Sequence, residues 1–231
     1  MKTIGLIGGM SWESSAEYYR LVNQGMKDRL GGHRNARSLM VTVCFETIER
    51  LQHEGRWDEL GGLMAEAARQ LQAGGADFVV LCTNTMHRVA GAIEAAIDIP
   101  FLHIVDPTAR ALQRAGVARV GLLGTRFTME HAFYAGRMKE RFAIEAVVPE
   151  AADRQIVHDI IYDELCHGVV RDASRAEYLR IIGAMRERGV GGVILGCTEI
   201  GMLLRQEDVA LPVFDTTALH AAFAVDLARG G

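Results

Sequence analysis

Two short segments carry residue types that could move a proton. Gly196-Cys197-Thr198-Glu199 follows the apolar run Val193–Leu195 and reads as a strand end that opens a helix. A thiol placed there would sit near unpaired N–H groups and the positive end of the helix dipole, which favours thiolate. A free thiol titrates near about 8.5, so a modest downward shift would make Cys197 a usable base near neutrality. Cys82-Thr83-Asn84-Thr85 ends a second apolar run, Phe78–Leu81. Asn84 and Thr85 offer donors and acceptors that match the ammonium and carboxylate of a zwitterion, and the same residue types also cap helices. Side chains alternate along a strand, so Cys82 is expected to point into the core rather than beside Thr83.

A third segment, Gly8-Gly9-Met10-Ser11, is a glycine turn that would let backbone approach an anion at a helix N-terminus. It is not a G-x-G-x-x-G fingerprint, and no acidic residue follows at the spacing a dinucleotide would need. A carboxylate is the better ligand for it. Cys166-His167, and Cys82 with His87, lack credible metal-ligand spacing, so no metal is expected. His87 and His167 read as solvated or capping histidines. His33, His53, His103, His131, His158 and His220 give no further cluster.

The elements that must position these segments alternate in type. Strands are expected at Thr3–Ile7, Leu39–Phe45, Phe78–Leu81 and Phe101–Val105, then at Arg119–Leu123, Ile144–Val148, Val193–Leu195 and Val213–Phe214. Between them, Leu60, Leu63, Met64, Ala67, Ala68 and Leu71 recur at helical steps, as do Tyr178, Ile181, Ile182 and Met185. Ser14-x-x-Glu17 and Ser174-x-x-Glu177 read as capping boxes. The class is therefore α/β with parallel sheets flanked by helices.

The chain also echoes itself. Ile4-Gly5-Leu6-Ile7-Gly8 returns as Val120-Gly121-Leu122-Leu123-Gly124, and the segment leading to Thr83 returns as the one leading to Cys197. Pro100 with Asp106-Pro107-Thr108-Ala109 returns as Pro212 with Asp215-Thr216-Thr217-Ala218. Two pseudo-symmetric lobes are expected, residues 1–115 and 116–231, with the helix over Thr216–Arg229 packing back onto the first. Ligands of open α/β sheets bind at the carboxyl ends of strands, so two facing lobes would present Thr83 and Cys197 to one cleft.

Composition narrows the partners. Of 231 residues, 49% are hydrophobic and 23% charged, as in ordinary soluble globular chains. The net charge of −4 and the lack of a Lys/Arg run argue against nucleic acid or a membrane surface. The apolar run at the start is too short for a secretory leader, and no stretch approaches the roughly 18 apolar residues of a membrane span. Four cysteines without paired spacing suit a reducing cytoplasm.

Taken together, the run from Ile4 through Gly8-Gly9-Met10-Ser11-Trp12-Glu13 to Ser14, the Thr83-Asn84-Thr85 segment and Gly196-Cys197-Thr198-Glu199 resemble the aspartate/glutamate racemase family. The likeness covers essentially the whole chain and is greatest to the bacterial branch acting on L-aspartate and L-glutamate or on a broader range of amino acids. It lacks the Asp-Ser-Gly start and the Gly-Cys-Thr-His segment of glutamate racemases proper. The resemblance implies a two-lobe α/β fold and a pyridoxal-free, two-base mechanism, with Cys197 and Thr83 acting on opposite faces of the α-carbon. It further implies that Met10, Ser11, Gln52, Asn84, Thr85, Thr125, Thr198 and Glu199 bind the substrate. No cofactor, a cytoplasmic homodimer and a small amino-acid substrate complete the expectation, with Cys197 serving the L-enantiomer.

Two departures from the family pattern matter. Most members have cysteine at both strand ends, whereas Thr83 occupies the first here. An alkoxide is far too costly near neutral pH, so Thr83 would act as a hydroxyl donor or relay in a kinetically asymmetric enzyme. Gln52 stands where acid-specific relatives place a cation, which predicts relaxed specificity, with Arg50, Arg56 and Arg126 as other anchors. The alternatives are another cysteine-dependent isomerase or decarboxylase of the superfamily, and an amino-acid-binding protein that has lost activity.

Overall fold

Apolar runs without polar alternation make strands buried on both faces, and parallel sheets are built from such strands. In a computed structural model describing residues 1–230, this holds for β1 (Ile4–Gly8), β3 (Phe78–Leu81) and β7 (Val193–Gly196), every residue of which is buried. β2 (Ser38–Thr42) and β4 (Phe101–Leu102) flank the first pair, giving a parallel sheet in the order β2-β1-β3-β4. β5 (Arg119–Gly124), β6 (Glu145–Val147) and β8 (Val213–Asp215) join β7 in a second parallel sheet, β6-β5-β7-β8. The two sheets thus repeat one strand order. The strands Leu39–Phe45 and Phe101–Val105 are shorter than expected because helices begin at Phe45 and Val105 and claim their ends.

The chain divides into two compact units, Met1–Ile104 with His220 onward, and Val105–Leu219. The break between them falls at Ile104/Val105. Helix Val105–Arg114 packs on helix Ala132–Phe142, where Arg137 holds Asp106 through two bonds of 2.6 and 2.8 Å. From His220 the last helix, Thr216–Arg229, buries Ala221, Ala224, Val225 and Ala228 with Ile4, Tyr18, Val22 and Met26 of the first unit. Their spacing makes one apolar stripe.

Helix Trp57–Ala73 buries Leu60, Met64, Ala67, Ala68 and Leu71 in the first unit, and helix Asp172–Glu187 buries Tyr178, Ile181, Ile182 and Met185 in the second. Each buried Leu, Ile or Met side chain among them contributes about 1.5–3 kcal/mol. Both capping boxes differ from expectation. Ser11, three residues earlier, caps helix Trp12–Leu30 by accepting from the Ser14 N–H, while Ser174 lies inside its helix and donates to Glu164 at 2.5 Å. A serine inside the first turn with a glutamate three residues on has the same S-x-x-E form as a cap. Among the described residues no helix is long and apolar enough to cross a membrane, and no group of three or more His, Cys, Asp or Glu could hold a metal ion.

Candidate active site

The chemistry-bearing residues of each unit gather at the carboxyl ends of that unit's strands, where α/β folds bind ligands. In the second unit, Gly124 and Gly196 pair across β5 and β7, which sets Thr125 and Cys197 at neighbouring strand ends. A Cβ on Gly196 would lie 2.7 Å from the Leu123 carbonyl oxygen, so only glycine allows this approach. Cys197 is half-buried, and its thiol donates to Glu199 Oε2 at 2.9 Å. Thr198 Oγ1 accepts from Thr217 Oγ1 at 3.3 Å, and Thr216 donates to the Leu195 carbonyl at 2.9 Å. These bonds tie the β7 end to the start of the last helix. Thr125 caps helix Arg126–Glu130 by accepting from the Thr128 N–H.

The electrostatics at Cys197 reverse the sequence expectation. The helix that follows, Ile200–Leu203, is a single turn that starts only after Glu199, so little dipole reaches the thiol. Burial pushes the Cys197 thiol well above its ordinary range, and the adjacent Glu199 carboxylate and Cys166 push the same way. The Glu199 backbone N–H, bonded to the sulfur, opposes them. Cys197 therefore rests as a thiol bonded to a carboxylate. Replacing Glu199 with Gln removes the negative charge, and alkylation of Cys197 should then begin roughly 1–3 pH units lower. Mass-spectrometric labelling against pH measures this, and an unmoved or upward midpoint would contradict it.

In the first unit the glycine turn after β1 and the segment after β3 are bonded together. Gly9 adopts φ +94°, and a Cβ there would fall 2.2 Å from the Val43 carbonyl oxygen. Its N–H donates to Ser15 Oγ at 2.7 Å, and Ser14 Oγ donates to the Cys82 carbonyl at 3.3 Å. Cys82 is fully buried in the core, where burial pushes its thiol up, and Thr83 is half-buried just beyond the strand. Asn84 and Thr85 are buried where the short helix Thr85–Val89 begins. Gln52, 4% exposed, donates Nε2 to Met86 Sδ at 3.1 Å, and its Oε1 has no bonding partner among the described residues. Met10 packs in the same cluster as Met86. Met10, Ser11, Gln52, Thr83, Asn84 and Thr85 thus share one end of the first sheet. Arg50 and Arg56 instead bind the exposed carboxylates of Glu54 and Glu59.

One group escaped the sequence reading. His87 is not a solvated or capping residue, and it does belong to a cluster. It is buried with its ring centroid 4.6 Å from His103 and 5.8 Å from His220. Tyr18 OH lies 2.9 Å from His220 Nδ1, and His220 Nε2 lies 3.0 Å from the Leu102 carbonyl. His167 closes a short turn, Leu165–His167, beyond a helix that ends at Asp163.

The model of the Asp/Glu/hydantoin racemase family matches residues 7–224. This chain belongs to that family of isomerases. The broad specificity amino-acid racemase RacX of Bacillus subtilis (strain 168) is 21% identical over 234 residues, covering 96% of each chain. A crystal structure of a candidate Asp/Glu racemase from Yersinia pestis matches with 49% identity and a TM-score of 0.93, over 99% of this chain and 100% of the other. An aspartate racemase homologue from Pyrococcus horikoshii OT3 matches with 30% identity and a TM-score of 0.87, again over 99% and 100%.

Proposed function

We propose that this protein is a cofactor-independent amino-acid racemase in which Cys197 exchanges the α-proton on one face of the substrate and Thr83 serves the other. The observation that carries this reading is the Cys197 thiol bonded to Glu199 at 2.9 Å at the carboxyl end of β7. Glu199 takes the thiol proton, and the resulting thiolate, more basic than a free one, removes the α-proton. In the opposite direction the resting thiol donates its proton to the planar carbanion. Thr83 acts as a relay, passing its hydroxyl proton to the carbanion while taking one from solvent, because an alkoxide left behind would be too costly. In reverse no resting base stands on that face, so the enzyme is asymmetric.

Ser11, Asn84, Thr85, Thr125 and Thr198 supply hydroxyls and amides suited to the ammonium and carboxylate. Met10 and Gln52 would line the substrate's side chain. A neutral amide holds a carboxylate less firmly than a bidentate arginine would, so the range extends past aspartate and glutamate to polar uncharged amino acids. The name of the Bacillus subtilis relative agrees with such breadth. Free thiols at all four cysteines suit a cytoplasmic enzyme, which we take to be a homodimer acting on free amino acids.

Chiral chromatography of L- and D-aspartate, glutamate and homoserine after incubation tests both parts. Inversion of homoserine at a rate comparable with aspartate is expected. A strong preference for aspartate would overturn the breadth. No inversion of any substrate would favour a binding protein.

A further inference from the structure

We propose that His87 is a positioning residue that clamps the peptide between Thr83 and Asn84 and so aims the Thr83 hydroxyl for proton delivery. This rests on the reading of Thr83 as the proton donor on one face.

The ring is held from both sides. His87 Nδ1 lies 2.8 Å from the Thr83 carbonyl oxygen, and its Nε2 lies 3.1 Å from the Ile104 backbone nitrogen. A backbone N–H can only donate, so Nε2 carries the lone pair and the proton sits on Nδ1, facing the carbonyl that needs it. The Ile104 N–H favours this tautomer, while the Leu102 carbonyl, which also bonds the ring, favours a proton on it. An imidazolium would set a second N–H against the Ile104 N–H. Burial, with His103 and His220 close by, holds His87 well below the ordinary histidine range, in keeping with a permanently neutral ring.

The clamp acts on the reacting segment through the backbone. The Thr83–Asn84 peptide is trans, so its C=O and N–H point in opposite directions. Drawing the Thr83 carbonyl to His87 fixes this plane and, with it, the backbone torsion that aims the Thr83 side chain. It also turns the Asn84 N–H away from the histidine. The second bond anchors the same ring to the chain just after β4, so the ends of β3 and β4 move together. Two local bonds accompany it: Thr83 N–H donates to Leu81 O at 2.9 Å and His87 N–H to Asn84 O at 3.1 Å. The imidazole spans the two strand ends through Thr83.

The readout must separate a misaimed donor from a damaged fold. In deuterated water, the enantiomer served by Cys197 can lose its α-proton and regain a deuteron on the same face, which is exchange without inversion. His87→Ala should lower inversion by roughly 10- to 100-fold while leaving that exchange unchanged, because Cys197 is untouched. His87→Asn, which keeps a donor for the Thr83 carbonyl, should restore part of the inversion. Loss of exchange and inversion in proportion, or no loss of either, would overturn the clamp while leaving the racemase reading intact. Absence of exchange in the wild type would overturn both. Should the variants fail to fold, nitrogen-15 NMR of wild-type histidines decides. A neutral ring protonated at Nδ1 is expected for His87, and an Nε2-protonated ring or an imidazolium at neutral pH would refute the clamp.

Discussion

Cys197→Ser should lower inversion by roughly 10²- to 10⁴-fold in both directions while leaving the fold intact, as measured by polarimetry and circular dichroism. The size follows from proton affinity. Even a thiol raised by burial and Glu199 ionises more easily than a hydroxyl, which lies many units higher, and each unit of pKa adds about 1.36 kcal/mol. Serine can still donate to Glu199, so the local bonding geometry of the Cys197 thiol, 2.9 Å from Oε2, is preserved while its acidity is not. The loss must be equal in the two directions. Enantiomers have the same free energy in solution, so kcat/KM for L to D must match that for D to L in any variant. A Cys197→Ser protein that inverts substrate at the wild-type rate would remove the thiol from the mechanism.

Thr83→Cys should act in the other direction. A thiol at the end of β3 would supply a second competent base, and the slow direction should quicken in kcat by roughly 10²-fold or more. The site offers room for the change, since Thr83 is half-buried and its N–H and C=O bonds are made by backbone rather than by its hydroxyl. Because kcat/KM is constrained to be equal both ways, the wild-type asymmetry appears as unequal kcat values matched by unequal KM values. The variant should bring the two kcat values together. Equal kcat values already in the wild type, or no gain in Thr83→Cys, would show that Thr83 does not limit the reaction.

The sequence was most readable where one physical cause dominates. The apolar runs Thr3–Ile7, Phe78–Leu81 and Val193–Leu195 read as buried parallel strands, and the glycine-led echo between Ile4–Gly8 and Val120–Gly124 anticipated one strand order used twice. It was least readable where two causes compete over a few residues. Ser14-x-x-Glu17 has the form of a cap, yet Ser11 sits one turn earlier and takes the Ser14 N–H. At Cys197, the strand end suggested a helix dipole, but the helix starts three residues later, and burial together with a carboxylate two residues on raises the thiol. The cluster of His87, His103 and His220 had no local signature at all. Its members come from three distant segments, and only the pairing of β3 with β4 and the packing of the last helix bring them together.

The most direct test of Cys197 as an acid/base at the α-carbon is proton NMR of substrate in deuterated water, with each enantiomer offered separately to wild type and to Cys197→Ser. Wild type should replace the α-proton of one enantiomer with deuterium, and Cys197→Ser should leave that proton in place. Undiminished deuterium uptake by Cys197→Ser would contradict the account.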